Sequence, residues 1–408
     1  MILYNLGIYL YYLILYILFP FSRKPRKMIK GYWVVGRILR QQLERDKDYI
    51  WFHAASLGEF EQGRPLIERI REQYPEYKIL LTFFSPSGYE VRKHYQGADI
   101  VCYLPMDTRF NAYRFLHFVR PKMAFFIKYE FWKNYLDELH RLKIPVYSIS
   151  SVFRKNQVFF KWYGGMYRNV LHNFTHLFVQ NETSKRFLAK IDVHNTTVVG
   201  DTRFDRVLAI KEEATSLPVI EQFRQSAKYC LIAGSSWGAD EDLFIDYFNR
   251  HPEMKLIIAP HEINDIHLTE IIDKLKRPSM CYSRIKPTQI TQVDCLIIDS
   301  FGLLSSIYRY GDVAYIGGGF GEGIHNLLEA AVYGIPVIFG PNHRKFIEAD
   351  ELIESGGGHC INNQEELNTL LDRFLTTPAA LQSSGKAAAN YVTHHSGATE
   401  KILQALSL

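Results

Sequence analysis

Val313-Ala314-Tyr315-Ile316-Gly317-Gly318-Gly319-Phe320-Gly321-Glu322-Gly323-Ile324-His325-Asn326-Leu327-Leu328-Glu329-Ala330-Ala331 opens as an apolar strand-like run, turns through five glycines in seven residues, and continues as a helix. A strand that feeds a glycine loop into a helix is the repeating unit of an α/β protein with a parallel sheet. Gly334-Ile335-Pro336-Val337-Ile338-Phe339-Gly340-Pro341 then supplies the next strand. Glycine lets backbone approach a ligand closely. Asn326 and Glu329 are three apart and share a helix face, and a carboxylate there suits two ribose hydroxyls, as in dinucleotide folds. The competing reading is a tight glycine loop with a capped helix. Against it, so dense a use of glycine costs backbone entropy.

The same alternation extends outward from this unit. Strands are expected at Tyr49–Ala54, Ile79–Phe84, Ile100–Tyr103, Met123–Ile127, Val146–Ile149 and Leu177–Val179. A second series is expected at Tyr229–Ala233, Lys255–Ala259, Cys295–Ile298, Val313–Ile316 and Pro336–Phe339, with helices such as Leu66–Gln73 and Leu327–Tyr333 between strands. Regularity drops over Glu212–Phe223, which contains Leu217-Pro218. The 408 residues therefore divide into two doubly wound α/β domains facing a cleft. The expected bounds are 1–22 for an N-terminal helix, 23–210 and 211–377 for the domains, and 378–408 for helices returning across the cleft.

Composition narrows the function. A chain 47% hydrophobic and 22% charged is neither disordered nor fibrous. Its five cysteines are scattered without a CxxC pair, which excludes a disulfide framework and a cysteine zinc site. The net charge of +5 resides in one place: Arg23, Lys24, Arg26, Lys27 and Lys30 occupy an acid-free N-terminal segment, and the remaining 43 bases balance 43 acids. A nucleic-acid-binding body is therefore not expected.

Those five bases follow the run Ile2–Phe21, in which only Asn5 is strongly polar. The pattern reads as a membrane anchor that keeps the rest of the chain on the cytoplasmic face of a membrane. Basic residues after the apolar run, with no small-residue cleavage site, distinguish it from a secretory signal. Five tyrosines in the run leave spanning and interfacial placements both open.

Four loops carry candidate chemistry. In His53-Ala54-Ala55-Ser56-Leu57-Gly58-Glu59 a strand ends and a helix begins. Glu59 then either caps that helix or serves as a general base. His53 orients Glu59 or the substrate, or is a satisfied core histidine. In Phe125-Phe126-Ile127-Lys128-Tyr129-Glu130-Phe131-Trp132 a buried strand delivers Lys128 and Glu130, which either pair or form a site. Ala233-Gly234-Ser235-Ser236-Trp237-Gly238 is a strand–turn–helix start whose N–H groups suit a phosphate, with Pro260-His261 at a related strand end. The glycine loop is the fourth. Asp240-Glu241-Asp242 matches an Asp-x-Asp metal pattern, and reads instead as first-turn acids favoured by the helix dipole.

His53–Glu59, Gly317–Gly319, His325-Asn326-Leu327-Leu328-Glu329-Ala330 and Gly334-Ile335-Pro336, taken in order, resemble the 3-deoxy-D-manno-octulosonic acid (Kdo) transferases, over nearly the whole chain. The resemblance implies a GT-B fold and inverting transfer of Kdo from CMP-Kdo to an anionic lipid A precursor at the bacterial inner membrane. It implies Glu59 as catalytic base and Glu130 as a second acid. Lys128 stands where the family often has another acid. It further implies Ser235, Ser236, Gly318, Gly319, Asn326 and Glu329 as donor contacts, with Glu329 on the ribose. Arg203 keeps the cation of a Gly-Asn-x-Lys-Phe-Asp segment, and His261 stands without the family's preceding arginine. His53 and Ser56 fall on the acceptor side. Arg154, Lys155 and Lys161 lie in an aromatic-rich stretch suited to lipid phosphates, or to an amphipathic helix on the N-terminal domain. A monophosphate leaving group has little need of a metal, so neither metal nor other cofactor is expected. The rivals are a UDP-sugar glycolipid transferase of the same fold and a non-catalytic nucleotide-binding module.

Overall fold

Seven parallel strands carry the first half of the chain in the computed structural model, which describes residues 2–225 and 227–406. They are β1 (Tyr49–Ala54), β2 (Lys78–Phe83), β3 (Ile100–Tyr103), β4 (Met123–Ile127), β5 (Val146–Ser151), β6 (His176–Val179) and β7 (Thr196–Val198). Their order across the sheet is β3-β2-β1-β4-β5-β6-β7. Parallel strands covered on both faces are apolar on both faces. On β1, Tyr49 and Trp51 enter one core layer, while Ile50, Phe52 and Ala54 enter the other. His53 alternates onto the Trp51 side and is fully buried. Strand order reverses between β1 and β4, and beyond the carboxyl ends at such a reversal folds of this kind hold ligands.

A second seven-stranded parallel sheet follows: β8 (Tyr229–Ser236), β9 (Met254–Pro260), β10 (Ser279–Cys281), β11 (Cys295–Ile297), β12 (Val313–Ile316), β13 (Val337–Phe339) and β14 (Gly358–Cys360). Its order is β10-β11-β9-β8-β12-β13-β14, with the reversal between β8 and β12. The chain forms two compact Rossmann-like units, Met1–Arg206 with Ser396–Leu408, and Val207–His395. Three strands absent from the sequence-based expectations, β7, β10 and β14, are all sheet edges three residues long. An edge needs no continuous apolar run, and these hold threonine, serine, glycine or histidine.

The C-terminal stretch is two helices. Pro378–His395 belongs to the second unit and Ala398–Ala405 to the first. Gly397, in the left-handed region at φ +94, separates them. Asp205 caps the last helix, accepting from Gly397 N at 2.5 Å and from Thr399 N at 2.7 Å. Ala398, Ile402 and Leu403 complete the layer that contains Ile50 and Phe52.

The N-terminal apolar run folds as α1 (Ile2–Leu18), followed after a bend by α2 (Arg23–Gln42). Among the described residues no single helix is long and apolar enough to cross a membrane; α1 and α2 pass that test only as a pair bent by 114°. α1 also has two unlike faces. Tyr4 OH donates to Asp107 at 2.5 Å, Asn134 Nδ2 donates to Asn5 at 2.9 Å, and Leu15 packs with Met28, Ile29 and Met106. The opposite face leaves Leu3, Leu6, Leu10, Leu13 and Ile17 each more than half exposed. A helix apolar all round would show no such docked polar side.

Candidate active site

The first unit gathers two acids at its reversal point. β1 ends at Ala54, and α3 (Leu57–Gln73) begins three residues on, with Glu59 near its N-terminus and Pro65 inside it, as expected. Glu59 lies in the first turn of α3, where the dipole favours an anion. Ser56 Oγ donates to its Oε2 at 3.2 Å. Burial pushes the Glu59 carboxyl above the usual carboxylate range, and the neighbouring Glu130 adds to this; Ser56, Lys128 and His53 oppose it.

The loop after β4 supplies the second acid. Lys128 takes the left-handed region at φ +68, its N–H donating to Ile149 O at 2.8 Å and its carbonyl accepting from Ser151 Oγ at 2.6 Å. The buried Glu130 carboxylate accepts from Trp132 Nε1 at 2.5 Å and pairs with His53 Nε2 at 3.1 Å. His53 Nδ1 lies 2.9 Å from Thr82 Oγ1, which accepts from Trp51 Nε1 at 2.8 Å. His53 is 0% exposed, so the expectation that it meets an acceptor is corrected: the ring lies beneath Glu130 and supports it. Trp132 and Thr82 escape sequence reading because they join His53 only once β1, β2 and β4 are neighbours.

The basic candidates of this unit are spread out. Arg203 pairs with Asp201 at 2.8 Å, so its charge is compensated within the first unit. Arg154 and Lys155 are exposed, and Arg154 interacts with Tyr129. The stretch Phe153–Tyr163 is not an amphipathic helix; it is a loop with one 3₁₀ turn, Val158–Phe160. Phe153 and Phe159 turn inward against Phe131, while Trp162, 91% exposed, and Tyr163 turn outward next to Lys161.

The second unit is assembled mainly from backbone. Asp240, in the first turn of the helix Gly238–Arg250, accepts from Trp237 N at 3.0 Å, Gly318 N at 2.8 Å and Tyr315 OH at 3.0 Å. It thereby ties the turn after β8 to the loop after β12. Asp242 points elsewhere, to Lys274 at 2.7 Å. The two acids of the Asp-x-Asp pattern thus diverge, and the reading of Asp240 as a first-turn acid describes its geometry. Ser235 sits at φ +52. Ser236 is fully buried and donates to Glu241 at 2.9 Å, so its hydroxyl faces the protein and not an open ligand site.

The glycines serve chain crossing. A Cβ on Gly318 would lie 2.2 Å from Gly323 O, at a backbone φ of +91, and one on Gly319 would lie 2.4 Å from Gly340 N. Close approach is therefore required, with protein backbone as the partner. The helix after the loop is shorter than expected, Leu328–Ala331. Asn326 precedes it, accepting from Leu328 N at 3.2 Å and donating to Glu329 Oε1 at 2.9 Å. Beside this loop, His261 stacks on Trp237 at 4.6 Å and on His325 at 4.4 Å. Burial, then His261, holds His325 below the usual imidazole range. Each of these rings follows the carboxyl end of a neighbouring strand, β8, β9 or β12, which is the signal that would have grouped them.

A family profile described as "3-Deoxy-D-manno-octulosonic-acid transferase (kdotransferase)" matches residues 34–206. The 3-deoxy-D-manno-octulosonic acid transferase of Aquifex aeolicus is 26% identical over 357 residues, covering 85% of this chain and 92% of that protein. The chain is thus similar to Kdo transferases, by the profile over most of its first unit and by these relatives over most of its length. The Haemophilus influenzae member is 23% identical over 372 residues, covering 88% and 86%. The GT-B-like fold is shared more widely: the solved UDP-GlcNAc 2-epimerase of Neisseria meningitidis superposes with a TM-score of 0.61 at 15% identity, covering 87% of this chain and 98% of that one.

Proposed function

We propose that the chain is an inverting glycosyltransferase that moves Kdo from CMP-Kdo to a lipid A precursor. The observation that carries this reading is Glu59, half-buried at a helix N-terminus with Glu130 acting on it, in a chain similar to Kdo transferases. A carboxylate whose proton affinity is raised is a stronger base near neutral pH. Glu59 takes the proton from the acceptor sugar hydroxyl. The oxygen then attacks the anomeric carbon of Kdo from the face opposite CMP, so configuration inverts.

Negative charge gathers on the departing CMP phosphate. The N-terminal end of the helix Gly238–Arg250 carries the positive end of its dipole, which suits that charge. Asn326 and Glu329, joined by a hydrogen bond, suit the ribose, and the Trp237–His261–His325 stack offers ring faces to the rest of the donor. The reading places donor contacts on the second unit and the base on the first.

The outward face of α1 is the part of the anchor reading that the fold supports best. Five exposed apolar side chains and the bases of α2 suit an in-plane position at an anionic membrane, with Trp162, Tyr163, Lys155 and Lys161 as further interfacial contacts. On this reading the enzyme works at the cytoplasmic face of the inner membrane, beside its lipid.

Mass spectrometry of purified protein mixed with CMP-Kdo and tetra-acylated lipid A precursor tests the reading. A Kdo mass increment in wild type that is absent in Glu59→Gln supports it. Binding of uridine nucleotide in place of cytidine nucleotide, with no increment, replaces it with the UDP-sugar alternative.

A further inference from the structure

The resemblance implies Glu130 as a second acid, yet the fold leaves it only 8% exposed. Its Oε2 is met by two nitrogens, Trp132 Nε1 at 2.5 Å and His53 Nε2 at 3.1 Å. An indole N–H can only donate. Trp132 Nε1 also lies 3.0 Å from His53 Nε2, and on the other side of the ring Nδ1 lies 2.9 Å from Thr82 Oγ1 and 3.2 Å from Thr82 O. Thr82 is fixed in turn by Trp51. The Trp132 ring is wedged against Phe84 at 4.8 Å and lies edge-on to His53 at 6.4 Å. Four side chains from β1, β2 and the loop after β4, with Phe84 just past β2, therefore hold one carboxylate oxygen at one point.

We infer that Trp132 and His53 are positioning residues: they lock the Glu130 carboxylate after the carboxyl end of β4, the strand paired with β1, which leads to Glu59, and Glu130 serves the reaction through Glu59 without touching substrate. This rests on reading Glu59 as the base. The charged and titratable groups acting on Glu59 are Glu130, Lys128, His53 and Tyr129. Of these, Glu130 is the acid that raises its proton affinity, while Lys128 and His53 lower it. A neighbouring fixed anion keeps a base basic only while its distance stays constant. The clamp supplies that constancy.

The test uses the full chain and two readouts. In the transfer assay, Trp132→Phe keeps the ring and loses the donor. It is expected to lower kcat by about tenfold, with KM for donor and acceptor unchanged, as a misplaced catalytic group does. Trp132→His restores an N–H and is expected to recover part of that loss. In Glu130→Gln the acid limb of kcat/KM against pH moves to lower pH, because Glu59 loses its anionic neighbour.

The second readout needs no activity. The ¹³C carboxyl signal of Glu59, assigned by its loss in Glu59→Gln, is expected to titrate at lower pH in Glu130→Gln than in wild type. A raised acceptor KM in Trp132→Phe or Glu130→Gln with an unmoved acid limb would mean direct substrate contact and overturn the inference. So would an unshifted Glu59 signal in Glu130→Gln. Absence of transfer by wild type would instead remove the functional reading, and the titration would still decide the coupling.

Discussion

The two reversal points share a topology and are built from different materials. In the first unit, the ends of β1 and β4 hold charged side chains: Glu59 in a helix turn and Glu130 clamped by His53 and Trp132. In the second, the ends of β8 and β12 hold backbone. There the buried acid, Asp240, is occupied by two N–H groups and a phenol, and glycines let three chain segments cross. A proton-transfer site needs a titratable group whose proton affinity its surroundings can raise. A site for a phosphate and a sugar needs oriented donors that do not titrate. Under the proposed function, the same fold provides chemistry in one unit and recognition in the other.

That contrast can be broken most sharply at Glu59. Glu59→Gln should reduce transfer by about 100- to 10,000-fold, while cytidine nucleotide binding, measured by calorimetry, stays unchanged. Equal loss of binding would erase the division of labour. The same acid sets a pH dependence. Because its proton affinity is raised, Glu59 remains protonated at a pH where an ordinary carboxylate is ionised. Transfer should therefore rise with pH through a limb lying above the usual carboxylate range.

The next effect is structural and belongs to the second unit. Gly319→Ala drives a Cβ to 2.4 Å from Gly340 N, whereas Gly321→Ala enters open space. The first should cost about 1–3 kcal/mol in thermal unfolding, as overpacking does, and the second much less. Equal effects would mean that the loop is not held by chain crossing.

Smaller again is the two-sidedness of α1. Leu6→Glu with Leu10→Glu on the outer face should weaken flotation with anionic vesicles and leave the unfolding midpoint nearly unchanged. Tyr4→Phe on the inner face should cost about 1 kcal/mol of stability and spare flotation. The smallest expected effect is none at all: EDTA should leave transfer unaltered, since Asp240 is engaged with N–H groups and a phenol. Loss of activity restored by a divalent cation would reopen the Asp-x-Asp reading.

What could be read from the residues follows the physics of each element. β1, β3, β4 and β12 lie at their expected bounds because buried parallel strands are unbroken apolar runs with polar residues at their ends. The edge strands β7, β10 and β14 carry no such run. Glu59, Glu130 and the glycine loop were visible because each directly follows a strong strand. The clamp on Glu130 was not, since His53 and Trp132 are 79 residues apart and meet only through the pairing of β1 with β4. α1 shows a third limit. Its composition is nearly all apolar, yet Tyr4 and Asn5 are placed by partners more than a hundred residues away.

The last helix carries a consequence for biosynthesis. Ala398, Ile402 and Leu403 close a core layer of the first unit, and Asp205 caps that helix. The first unit therefore remains open on one side while all of Val207–His395 is being translated, and that layer closes only once Ala398–Ala405 has been made. Removal of residues 396–406 should leave a full-length second unit attached to a first unit that recruits chaperones and is cleaved preferentially by proteases.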